Sequence, residues 1–93
     1  MTWGVDFTTT ARSDLVGLDS DVMTTIIDTL VEWSEIGPPR SNRREIAGIE
    51  FYESSIAEKY LAAYTIDDSR RRFALLWMRE RPGRVLQAAP TTS

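Results

Sequence analysis

The chain opens on an alternation. Trp3, Val5 and Phe7 are separated by Gly4 and Asp6, the period of two that a strand with one buried face produces. The three threonines at 8–10 can cap a helix, and Ala11, Leu15 and Leu18 then recur at helical spacing. This predicts a short helix over about 10–18. Asp19 and Ser20 read as the next N-cap, with Asp21 well placed for the helix dipole. Val22, Ile26, Leu30 and Trp33 form one apolar stripe, widened by Met23, Ile27 and Val31. That helix should end near Glu35 or Ile36, because Gly37 suits a C-cap and Pro38-Pro39 cannot continue it.

Beyond the prolines the period falls to two. RSNRRE at 40–45 is polar and basic and reads as a loop. IAGIEFYE at 46–53 reads as a strand interrupted by Gly48, and SSIAEK at 54–59 as a hairpin connection. YLAAYTID at 60–67 is a strand with Tyr60, Ala62, Tyr64 and Ile66 on one face. DDSR at 67–70 carries turn residues. The strand at 71–80 has Phe73, Leu75 and Trp77 on one side and Ala74, Leu76 and Met78 on the other, as in a central or partner-covered strand. Alternation extends the Phe73 side to Arg79 and Arg81. Pro82-Gly83 ends the strand; Val85 and Leu86 are expected to dock on the sheet, and the tail from about 87 to be loose. The predicted order is β-α-α-β-β-β: one α+β domain over 1–93, with short connections making the last three strands antiparallel and both helices on one sheet face.

Charge adds an asymmetry. Residues 1–39 hold one basic group against seven acids, whereas 40–93 hold ten basic groups against seven. Screening confines charge effects to about 8–10 Å, so a basic half of an acidic protein can still form a phosphate-facing patch. The chain has no cysteine and no histidine. This excludes thiol catalysis, Ser-His and Cys-His dyads and the usual zinc sites, and no cofactor is expected. No signal peptide precedes the first strand and no apolar run is long enough for a bilayer, so a cytoplasmic protein without a membrane partner is the expectation.

In this order the motifs resemble the RelE/ParE toxin superfamily of type II toxin–antitoxin systems. WGVDFTTTARSDL is similar to that family's opening strand and first helix, GPPR and REIAGIEFYE to its entry into the second strand, YLAAYTID to its Y-R-x-x-Y strand, and LLWMRERPGR to its last strand with a basic run. The likeness spans roughly 3–86. It implies an antiparallel sheet carrying two N-terminal helices, a cognate antitoxin as partner, and either ribosome-dependent mRNA cleavage or, as in ParE relatives, an attack on DNA gyrase. Arg79 falls where ribosome-dependent relatives face the scissile phosphate, and Arg81 at a second basic position. Leu61 stands where the Y-R-x-x-Y strand has arginine, with Lys59 two residues earlier as a substitute. Val85 and Leu86 stand where active nucleases carry tyrosine or histidine.

Cleavage through a 2′-hydroxyl needs a base, charge relief at phosphorus and an acid for the leaving oxygen. Arginine suits the second role, since its planar fork matches two phosphate oxygens, and is excluded from the first by its high pKa. Arg79, Arg81 and Lys59 are the expected phosphate-site residues, and Glu80 the expected proton carrier, with Glu53, Glu58 and the tyrosines as alternatives. Arg43, Arg44, Tyr60 and Tyr64 are expected to contact RNA. The alternative for each is ordinary: solubilising charge for the arginines, core packing for the tyrosines. A non-catalytic binding module, gyrase-directed or confined to its antitoxin, is the competing function.

Overall fold

Two helices and five strands follow one another as β1 (Gly4–Phe7), α1 (Thr9–Val16), α2 (Ser20–Ile36), β2 (Arg43–Ile46), β3 (Ile49–Ile56), β4 (Tyr60–Asp67) and β5 (Arg72–Glu80). The structure, a computed structural model, describes residues 2–80. The expected positions Arg81, Val85 and Leu86 lie outside the described residues. The strands form one sheet in the order β1-β5-β4-β3-β2.

The helix boundaries follow from their caps. Thr8 adopts extended backbone and its Oγ1 accepts the Ala11 N–H at 3.1 Å, which starts α1. Gly37 sits at φ 97°, ψ 147° and returns its N–H to the Trp33 carbonyl at 2.8 Å, which ends α2 where the prolines require. Along α2 the buried residues are Ile26, Leu30, Trp33 and Ser34. Ile26, Leu30 and Trp33 pack with Ala11 of α1 and with Ile56, Ala62, Tyr64, Phe73, Leu75 and Met78 of the sheet as one core. Trp33 anchors it, with ring centroids 5.0 Å from Tyr64 and 6.0 Å from Phe73. Ile27 and Val31, which widened the predicted stripe, are exposed instead.

The α+β class and the two helices on a sheet are as the pattern implies. Three features differ in detail. The polar stretch read as a loop contains β2, which pairs with β3 across a turn whose central residues Ala47 and Gly48 have φ 53° and 83°. Both values are positive, the signature of a type I′ hairpin turn, and every β2 residue is exposed, so no apolar period marks it. Half of the predicted 54–59 connection is strand: β3 runs to Ile56 and 57–59 turn. The sheet is mixed, because β1 pairs parallel with β5 while all other neighbours are antiparallel.

Candidate nucleic-acid interface

A bulge in β5 decides which side chains share a face. Ala63 pairs with Trp77 and Tyr64 with Leu75, so Leu76 has no opposite number. Before the bulge Phe73 and Leu75 point to the helices; after it Met78 does, and Trp77 and Arg79 turn to the opposite face. The predicted grouping of Phe73, Leu75, Trp77 and Arg79 on one face is therefore corrected. α1 holds the bulge in place. Thr8 donates its hydroxyl to the Leu76 carbonyl at 2.7 Å, and the Asp14 carboxylate accepts the Met78 N–H at 2.9 Å.

On the face away from the helices, three charged side chains from three strands meet. Glu53 of β3 is at the centre, its side chain only 9% exposed. One carboxylate oxygen accepts from Arg44 Nη1 of β2 at 3.0 Å; the other lies 3.6 Å from Arg79 Nη2 of β5. Both guanidiniums stay more than half exposed, at 57% and 59% of their side chains. The group carries a net charge of one positive unit and keeps N–H donors turned outward. Phe51 and Trp77 lie on the same face, packed edge to face with centroids 5.2 Å apart. Oriented guanidiniums can bind phosphate oxygens, and Trp77, half-buried where Phe51 is fully buried, is the ring of this pair with exposed surface beside them.

Other expected site residues lie elsewhere. Glu80 pairs with Tyr60 across β4 and β5, on the helix side of the sheet, so strand alternation separates it from Arg79. Tyr60 packs half-buried against the core. Tyr64 is fully buried: its hydroxyl donates to the Pro39 carbonyl at 2.6 Å, which leaves the Ser54 hydroxyl, 2.8 Å away, as the donor to it. Burial pushes its phenol above the usual range. Tyr64 is thus a core residue, and the RNA-contact expectation for it is corrected. Arg43 of β2 lies opposite Tyr52 of β3 on the helix side of the sheet and is paired with Glu50. Lys59 is exposed in the turn after Ile56, at the end of the sheet where Leu61 pairs with Arg79. Glu53 is the functional residue the sequence did not assign as a partner of Arg79. Its signal was parity: Phe51 and Glu53 alternate with Tyr52 and Ser54.

Arg40, Arg70 and Arg72 are engaged by acids. Arg72 makes two hydrogen bonds to Asp6, at 2.7 and 2.9 Å, and Arg40 grips both oxygens of Asp68. These bonds hold the Asp6 and Asp68 carboxyls below the usual range. A cavity of about 480 Å³ lies at the Arg72 end of β4 and β5, lined by Asp6, Asp67, Arg70 and Arg72. Its charges pair with one another, which makes it a poorer phosphate site than the Arg44–Arg79 face. Among the described residues no group of three or more His, Cys, Asp or Glu is placed to hold a metal, and no helix is long and apolar enough to cross a membrane.

Solved structures share this fold. The archaeal RelE–RelB complex from Pyrococcus horikoshii OT3 is 16% identical, with 87% of this chain and 97% of that chain covered at a TM-score of 0.72. The isolated RelE toxin of E. coli is 20% identical over 92% and 94%, at 0.70. The toxin–antitoxin complex RelBE2 from Mycobacterium tuberculosis is 27% identical over 87% and 100%, at 0.65. The chain has the fold of the RelE-like superfamily. Its RelE-like frame accounts for the mixed sheet with N-terminal helices on one face. No family model and no curated protein matches the chain.

Proposed function

We propose that this RelE-like protein is the toxin of a type II toxin–antitoxin pair and acts on mRNA at the ribosome. The carrying observation is the convergence of Arg44 and Arg79, from strands that are not neighbours, on one face of a fold shared with RelE toxins. Arg79 and Arg44 bind the phosphate and offset the charge that builds at phosphorus during 2′-hydroxyl attack. Lys59 extends the cationic surface from the end of the sheet where Leu61 pairs with Arg79. The ribosome positions the strand, so the protein contributes charge relief more than proton transfer, whose absence forgoes about 10²–10⁴-fold in rate. A RelB-type antitoxin holds the toxin inactive, as RelB accompanies RelE in the Pyrococcus and E. coli complexes. A toxin that acts at the ribosome works in the cytoplasm.

A second reading, binding without cleavage, is favoured by two observations: the chain contains no histidine, and both oxygens of Glu53 face guanidiniums. Induced expression separates the readings. Growth arrest with shortened transcripts and normal plasmid supercoiling supports mRNA cleavage. Arrest with intact transcripts and relaxed plasmid indicates gyrase. Unimpaired growth contradicts a toxin of either kind.

A further inference from the structure

We infer that Glu53 is a positioning residue for RNA binding: its buried carboxylate fixes Arg44 and Arg79 as a two-guanidinium clamp for the phosphodiester backbone. The inference rests on the proposed RNA-directed function and deepens it. A carboxylate in the middle of a phosphate-binding face is unexpected on charge alone, since it repels the ligand. Its placement answers the objection. Glu53 is almost wholly buried, whereas both guanidiniums reach past it into solvent. It stands on β3, with Arg44 reaching it from β2 and Arg79 from β5 beyond β4. One acid therefore draws two long side chains together across four strands. Each arginine would otherwise spread over many rotamers, a freedom it must lose on binding. The β5 bulge is part of the device: with regular alternation Arg79 would point to the helix side, away from Glu53. Trp77, two residues before Arg79, and Phe51, two before Glu53, fix the floor on which the clamp stands.

The test is a fluorescence-anisotropy titration of the full chain against a labelled, 2′-O-methylated single-stranded RNA, which binds without being cleaved. Glu53→Asp keeps the charge and shortens the reach, so the bridge to both arginines is lost. It should weaken binding about tenfold, the cost of immobilising roughly one arginine side chain. Glu53→Gln removes a repelling charge, yet it too should weaken binding. In a background already carrying Arg44→Ala and Arg79→Ala, neither change should weaken it. Wild-type affinity in Glu53→Asp together with tighter binding in Glu53→Gln would overturn the inference, because Glu53 would then merely repel phosphate. Should one variant fail to fold by circular dichroism, the other decides, since each opposes the repulsion reading. The underlying function fails separately. If Arg44→Ala and Arg79→Ala leave affinity and its salt dependence unchanged, when each lost contact should flatten the slope by about 0.7, RNA does not bind this face.

Discussion

Replacing Tyr64 with phenylalanine removes one oxygen and leaves the ring that packs on Trp33 and Phe73. The oxygen is the hub of a buried chain in which Ser54 donates to Tyr64 and Tyr64 to the Pro39 carbonyl. This chain ties the segment leaving α2 to β3 and β4. An unsatisfied buried polar group costs about 1–3 kcal/mol. Two groups lose their partner, but Ser54 can rotate and Pro39 is only half-buried. The expected loss is therefore about 2–3 kcal/mol for the pair, not the full sum. For a domain of this size that lowers the melting midpoint by roughly 10–20 °C. Urea unfolding followed by tryptophan fluorescence measures it, and Ser54→Ala added to Tyr64→Phe should recover part of the loss. RNA affinity, measured well below the midpoint, should stay within about twofold of wild type, because Tyr64 faces the helices. Unchanged stability, or intact stability with lost RNA binding, would refute the assignment of Tyr64 to the core. The pH dependence follows the same logic. Burial raises the folded phenol above its unfolded value near 10.0, so its stabilisation is complete below that pH and fades as pH rises further; Tyr64→Phe removes this alkaline loss.

Three other outcomes are expected. Ala47→Asn should stabilise by about 0.5–1 kcal/mol in chemical denaturation, because Asn-Gly suits the two positive φ values that Ala47 and Gly48 now adopt; destabilisation would contradict the turn. Gly37→Ala should cost about 1–3 kcal/mol, since φ 97° excludes side chains and the new Cβ would come within 3.2 Å of Trp3 Nε1. Asp6, Asp67 and Asp68 titrate below their ordinary 3.8, held down by hydrogen bonds, so their contribution is present above that pH and lost as pH falls below it through their lowered folded values. Asp68→Asn should flatten the acid limb of a plot of melting midpoint against pH.

Local chemistry made much of this fold legible. The α2 limits followed from Asp19, Gly37 and the proline pair, and β4 from the alternation of Tyr60, Ala62, Tyr64 and Ile66. Three features lay outside local pattern. The β2 strand buries none of its residues, so hydrophobic period is silent on it, and Ala-Gly is a weak hairpin signal beside Asn-Gly. Parallel pairing of β1 with β5 is a contact between residues more than 60 positions apart. The bulge at Leu76 reverses side-chain parity within an unbroken apolar run, where LLWM shows no irregularity. That reversal turned Arg79 away from the helix side and delivered it to Glu53. Arginine as the phosphate-binding residue type could be read from the chain; the partner that organises it required the register.

The central claim is that this face acts on mRNA during translation. Mapping 5′ ends of a reporter transcript after brief induction tests it most directly. The account predicts new ends inside the translated region, lost when the start codon is removed and lost with Arg79→Ala. Growth arrest with unbroken transcripts, or breaks that persist without Arg79, would contradict it.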